Sequence, residues 1–551
     1  MSITKYRAKG CSWVLMHLLL LGGLPLAINH QILCQSPEDE SKGFTNPVIR
    51  GFNPDPSICR VGEDYYMITS SSFLYPGIPV YHSRDLIHWK MIGHCLTRPE
   101  QYFLDKNNNH PEIYAGTLRY NKGIFYMVTT DVNGGGNFFV TATDPAGPWS
   151  DPVCIDKPVF DPSLFFDEDG KVYYTRRGDF ADKDIVQAEI ELKTGKLLTP
   201  LKHISKGLVG DDTEGPHLFR ANGWYYLTMG EGGSRYLHMQ SIARSKSPWG
   251  PFTPCPWNPV ISQHNGWWHH TAALGHADFF ADQLGNWWAV CLGQRKAGYM
   301  DFSVIGRETF LFPVEWKQGW PFIKPADMVN LSIQTRILPK YPWPELPLRE
   351  DFTNKDLALF WNLMAYPFEK VYSLTDRPGY LRLYGTAEPV RQSKQVSFIG
   401  RRQEEMAGEV TASMEFEPSG PNEEAGLTVY QSDEYQYAAC ITMRGGQKFA
   451  LLRKTVGNMV TESDLVWITA HKIKLRITFD NNNYHFFVAE TEGVWKELGN
   501  GLTNLVSTDV AGTFGGVVIG PYATGNGIVS KNPADFDWVD TEFKYVTLTG
   551  F

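Results

Sequence analysis

Between residues 55 and 288 the chain repeats one arrangement five times: a polar or small residue, a short apolar run, a turn, and a pair of aromatics. The third copy is the clearest, with Asp161-Pro162-Ser163-Leu164-Phe165-Phe166, the turn Asp169-Gly170 and then Tyr173-Tyr174. The other four open at Asp55, Ala115, Glu214 and His276, and close on Tyr65-Tyr66, Phe125-Tyr126, Tyr225-Tyr226 and Trp287-Trp288. Two apolar runs around a tight turn predict a pair of antiparallel strands. Repeated at comparable intervals with few helix signals, the unit predicts a radial or stacked all-β array, and a five-bladed β-propeller is its economical form.

Outer strands are visible too, as in Val80-Tyr81-His82-Ser83 and Phe138-Phe139-Val140-Thr141-Ala142, and the turns Gly147-Pro148-Trp149 and Ser247-Pro248-Trp249 echo each other. The propeller is expected over residues 44–338. Four prolines in Pro339-Lys340-Tyr341-Pro342-Trp343-Pro344-Glu345-Leu346-Pro347 then predict a stiff, extended linker over 339–347. From 348 to 551 the repeat is absent. Period-two segments such as Lys472-Ile473-Lys474-Leu475-Arg476-Ile477-Thr478 and Tyr484-His485-Phe486-Phe487-Val488 predict antiparallel strands with one buried face, and so a β-sandwich.

With 551 residues the chain is long enough for two cores. Its net charge of -9 offers no electrostatic footprint for nucleic acid. Lys5, Arg7 and Lys9, the apolar run Trp13 to Leu21 and Gly22-Gly23 read as an export signal, so residues 1–35 are expected to be signal peptide and leader, with cleavage before Phe44 and an extracytoplasmic destination. That run is too short to span a bilayer, and no other segment is long and apolar enough. Cys34 follows Ile32-Leu33 and lacks the small residue a lipid-attachment site wants. Eight cysteines show neither a CxxC pair nor a metal-ligand spacing; after the first two, most are expected to be buried thiols.

The innermost strand of each propeller blade lines the axis, so Asp55, Asp161, Glu214 and His276 are expected to converge on one level of the channel. An Asp before Pro ordinarily only starts a turn. Glu214, however, stands before Gly215-Pro216-His217, where it is neither a helix cap nor a surface-strand charge. Three carboxylates brought to one axial pocket repel each other and lose solvation, a cost that points to a use. Two carboxyls across a pocket are the equipment for hydrolysing a glycosidic bond, and a third raises the proton affinity of the donor. His276 reads either as a hydrogen-bonded buried histidine or as a channel ligand for water or a cation. Arg307 reads as an ion-pair partner or a binder of sugar hydroxyls. His264, His269 and His270, around Trp267-Trp268, fit no zinc pattern and read as a pocket rim; Asp211 and Asp212 read as turn residues.

At GFNPDPSICRVGEDYY, HSRDLIHW, DPSLFFDEDGKVYY, TEGPHL, IARSKSPWGPF, GHADFF and GRETF, and then at LREDF, RPGYLRLYG and ADFDWV, the chain resembles glycoside hydrolase family 43, specifically its two-domain β-xylosidases and α-L-arabinofuranosidases. The resemblance implies an inverting exo-glycosidase acting on xylan- or arabinan-derived oligosaccharides, with a concanavalin-like β-sandwich closing one side of the pocket. It implies Asp55 as general base, Glu214 as general acid and Asp161 as the group that tunes and orients the donor. It further implies Phe73, Tyr114, Arg307 and Tyr522 as substrate contacts, no cofactor for the chemistry, and a channel position for His276 beside which some members hold a structural calcium. Two departures, Ala115-Gly116 where many members carry Ala-Pro and Leu74-Tyr75 where xylosidases often carry an acid and an aromatic, line the sugar-binding end. They leave the pentose open. A sugar-binding propeller without catalysis and an endo-acting arabinan hydrolase are the competing classes, the second disfavoured by a domain that closes the pocket.

Overall fold

The computed structural model describes residues 43–102, 112–179, 183–263, 271–296, 302–324, 331–336, 338–390 and 396–545. The export signal, Cys34 and the segment with His264, Trp267, Trp268, His269 and His270 lie outside the described residues. Five separate sheets of four or five strands follow the five sequence repeats, and in each the repeat supplies the first two strands. The first strands are Ser57–Val61, Ile113–Asn121, Ser163–Phe166, Glu214–Ala221 and Thr271–Ala281. Each sheet then meanders antiparallel through its later strands, for example Asp64–Ile68, Gly77–Ser83 and Lys90–Leu96 in the first blade. The inner strand Thr271–Ala281 is buried along nearly its whole length, its polar residues His276 and Asp278 included.

Phe44 and Thr45 pair with Ile333 and Ser332, and Ile49 bridges Thr309, so the chain entering the first blade is tied to the fifth blade and to the strand after it. Residues 338–347 run without strand or helix across the first blade. The Tyr341 N–H donates to Asp85 Oδ2 at 2.7 Å, and the Trp343 ring lies 5.1 Å from that of His82. The remainder forms two eight-stranded antiparallel sheets. In Lys472–Phe479 every second residue is buried. Those positions meet Ile399, Leu427, Ile441, Phe486 and Phe536 in the core between the sheets, the period-two pattern expected of a sandwich. Among the described residues six cysteines are free thiols, and only Cys154 is exposed.

Sandwich and propeller share buried polar contacts at the residues that lead into the first blade. Arg402, buried on a sandwich strand, donates through Nη1 to the Phe52 carbonyl and to Asn53 Oδ1, both at 2.7 Å. Asn53 Oδ1 also accepts from Tyr81 and Thr69. Beside them Arg295 of the fifth blade pairs with Glu308 and reaches Glu405 of the sandwich at 2.8 Å. A buried guanidinium is tolerated only where such acceptors surround it. The segment carrying Asp55 is therefore clamped from both domains.

Candidate active site

Asp55, Asp161 and His276 all adopt left-handed backbone, with φ of 54°, 59° and 51°. Non-glycine residues rarely sit there, and they do so mainly where the surroundings over-determine them. In the fourth blade that conformation falls on Gly215, φ 53°, and not on Glu214. The sequence repeat had placed Glu214 at the shared position. Glu214 stands one residue earlier, at the position Gly275 holds in the fifth blade, where the same register shift occurs, and its side chain still reaches Asp161 and His276. Gly215 is required for a second reason: a Cβ there would lie 2.9 Å from the His276 ring.

The expected convergence of the four side chains is observed. One ligand atom each from Asp161, Glu214 and His276 lies within 4.8 Å of the others, and His276 Nδ1 is 3.8 Å from Asp55 Oδ1. Arg307 Nη1 donates to Asp55 Oδ1 at 3.3 Å, and the Gly215 N–H donates to Asp161 Oδ2 at 2.8 Å. All four acidic and imidazole groups are buried. Burial pushes the Asp55 carboxyl up, but Arg307, His276 and Ser70 outweigh it and hold its pKa below the ordinary value. Glu214 goes the other way. Burial first, and then the charge of Asp161, raise it to about 7, with Ser234 opposing weakly. Asp161 is itself raised, by burial above all and against the pull of His276. One carboxyl is thus kept ionised while the other holds its proton up to about pH 7, a separation that assigns acid and base work to two chemically similar groups.

Arg307 pairs with Asp55, as one of its two sequence readings has it, and its Nε is buried without a partner. Phe73 packs beside Leu74 and Phe52, and the Tyr114 hydroxyl donates to Glu112 at 2.7 Å with its ring 5.6 Å from Phe160. Asp212 makes ion pairs with Arg177 and Lys183, as suits a turn residue. Tyr522 requires a correction. Its ring is 0% exposed and its hydroxyl donates to Glu424 within the sandwich, so it offers no surface to a sugar. The sandwich instead presents Phe514, 45% exposed, with the guanidinium carbons of Arg307 and Arg235 5.5 Å and 5.2 Å from its ring centre.

Sequence reasoning also missed Ser234, whose hydroxyl donates to Glu214 Oε1 at 3.0 Å, and a second ring of polar groups on the inner strands. There Asp278 Oδ2 accepts from Ser57 and Arg119, both at 2.8 Å, and Arg119 Nη2 lies 3.1 Å from His217 Nδ1. These contacts join blades one, two, four and five. The position after each left-handed residue, occupied by Pro in three repeats, was the available signal, since Ser57, His217 and Asp278 all follow it.

The model for glycosyl hydrolases family 43 matches residues 44–321, half of the chain. The chain belongs to glycosyl hydrolase family 43. Residues 349–542 match the beta-xylosidase C-terminal concanavalin A-like domain. A non-reducing end alpha-L-arabinofuranosidase of Bacteroides ovatus, BoGH43B, is 43% identical over 91% of this chain and 94% of its own length. A xylosidase/arabinosidase of Butyrivibrio fibrisolvens is 35% identical over 90% and 99%. Among solved structures, a Bacteroides ovatus GH43B superposes with a TM-score of 0.87 at 43% identity, covering 91% of this chain and all of that one. A xylan beta-1,4-xylosidase from Bacillus halodurans superposes with 0.85 at 32%, covering 90% and 99%. This family-43 protein is accordingly a glycosidase, and the family needs no cofactor for catalysis. Asp161, Glu214 and His276 are also spaced to share a cation. Two carboxyls, one of them holding a proton near neutral pH, and one imidazole fall short of the six to eight oxygens calcium takes, so any ion there would draw most of its shell from water.

Proposed function

We propose that this enzyme is exported and removes terminal pentoses from plant cell-wall oligosaccharides by single-step inversion, with α-L-arabinofuranose as its preferred sugar. The opposed protonation of Asp55 and Glu214 is the observation that carries the mechanism. Asp55, ionised beside Arg307, takes a proton from water as that water attacks the anomeric carbon. Glu214 gives its proton to the departing oxygen, and Asp161 keeps that proton in place until it is needed. The single step balances: water supplies hydroxyl to the sugar, its proton goes to Asp55, and the aglycone takes the Glu214 proton and leaves as an alcohol.

Exo action is supported by the sandwich, which brings Phe514 against Arg307 beside Asp55. Preference for arabinofuranose is supported by the 43% identical arabinofuranosidase. Relatives named for β-xylosidase activity support β-D-xylose as the second reading. Release of nitrophenol from the α-L-arabinofuranoside and the β-D-xyloside tests this directly. The arabinofuranoside is expected to be cleaved with the higher kcat/KM. A higher value for the xyloside reverses the order, and no turnover of either by folded protein supports a propeller that only binds sugar.

The same assignment fixes the pH dependence. Catalysis needs Asp55 ionised and Glu214 protonated, so kcat/KM rises through the depressed pKa of Asp55 and falls as pH passes about 7. A profile still climbing well above that value would contradict Glu214 as the proton donor.

A further inference from the structure

His238 belongs to none of the groups assigned so far. It immediately precedes the strand Met239–Ser245, in a turn closed by its own N–H donating to the Arg235 carbonyl at 2.8 Å. Its side chain is 0% exposed, and Nδ1 lies 3.8 Å from Glu214 Oε1. Neither ring nitrogen has a hydrogen-bond partner. The Gly233 carbonyl exerts a weak pull on the ring but lies outside hydrogen-bonding geometry.

The fold has cleared space for this ring. Gly230 faces Glu214 across the strand ladder, and a Cβ on it would sit 3.0 Å from His238 Cε1. On the fifth blade a Cβ at Gly275 would come within 2.3 Å of Cδ2. Two positions lining the pocket thus lack side chains, and an unpaired imidazole is pressed against the proton donor in their place. Burying a polar ring with neither nitrogen satisfied costs desolvation without return, unless a partner arrives at another stage of the reaction.

We propose that His238 is a positioning residue for the donor: its Nδ1–H donates to Glu214 Oε1 as Glu214 gives up its proton, holding the carboxylate that forms. The inference rests on the reading of Glu214 as general acid. A shift of under about 1 Å closes the bond, and catalytic hydrogen bonds commonly tighten only when substrate is bound. The proposal takes the ring proton on Nδ1, the nitrogen that faces Glu214, where the carboxylate is the acceptor it would reach. Burial, together with the charges of His276 and Arg307, drives the imidazole pKa down to about 3, against an opposing pull from Asp55. It therefore donates as a neutral ring and does not compete with Asp161 for charge. The titratable and charged groups around the pair are Asp55, Asp161, His276 and Arg307, and none of them hydrogen-bonds His238.

The test compares wild type, His238→Leu, His238→Asn and Glu214→Gln on the 4-nitrophenyl and methyl glycosides of the preferred pentose. Asparagine places an N–H near the position of Nδ1, and leucine places none. His238→Leu is expected to lose about tenfold or more on the methyl glycoside and under about threefold on the nitrophenyl glycoside. Its alkaline limb should move to higher pH, because a carboxylate without that donor holds its proton more tightly. His238→Asn should restore both. Equal losses on the two glycosides with an unmoved limb, or an asparagine variant no better than leucine, would overturn the proposal. If His238→Leu does not fold, the asparagine variant decides alone: a limb and a substrate pattern like wild type support the donor role, and a shifted limb refutes it. Equal losses in Glu214→Gln would instead bring down the general-acid reading on which the proposal stands.

Discussion

Asp55→Asn is expected to abolish turnover on every substrate, with a loss on the order of a thousandfold or more whatever the leaving group. The amide oxygen still accepts from Arg307 and the residue still fits its left-handed backbone, because asparagine tolerates that region as well as aspartate does. What disappears is the basic lone pair that takes the proton of the attacking water. Every substrate needs that step, so activated and unactivated glycosides should fall together. Tm should stay near that of wild type, and it would rise if relief of carboxylate repulsion outweighs the lost ion pair. Retention of a tenth or more of wild-type kcat/KM on either class would mean that water is activated elsewhere.

Glu214→Gln should divide the same substrates. A nitrophenolate leaves without a proton, so its glycosides are expected to lose about tenfold or less, while xylo- or arabino-oligosaccharides, whose leaving oxygen is an ordinary alcohol, lose about a thousandfold. The amide retains the Ser234 contact and removes only the proton. Because the wild-type alkaline limb reports Glu214, raised to about 7 by burial and by Asp161, that limb should vanish in the variant on activated substrates. Uniform losses, or a surviving limb, would assign proton donation to another group.

The repeat was legible because a blade is a local object: two apolar runs and a turn declare a strand pair wherever they occur. Asp55 and Asp161 were legible through Asp-Pro-Ser at the same place in two repeats. Glu214 was read one residue away from its true register, although Pro216, aligned with Pro56 and Pro162, marks Gly215 as the residue equivalent to Asp55 and Asp161. Tyr522 and Phe514 show the harder limit. Both lie in glycine-bearing stretches near the end of the chain, and only strand direction shows that Tyr522 turns toward Glu424 while Phe514, off the strand, meets Arg307. Arg402 and His238 act through contacts with residues far away in sequence, and no local pattern announces them. Gly215, Gly230 and Gly275 carry such information in negative form, as side chains omitted where a ring must fit.

The most direct test of an ionised Asp55 working opposite a protonated Glu214 is the anomeric configuration of the sugar first released. Proton NMR of the product of an α-L-arabinofuranoside, followed within the first minutes before mutarotation, is expected to show the β-anomer, formed by water attacking opposite the departing group. First appearance of the α-anomer would mean a covalent glycosyl-enzyme and a nucleophilic carboxylate. Asp55 would then not be the general base.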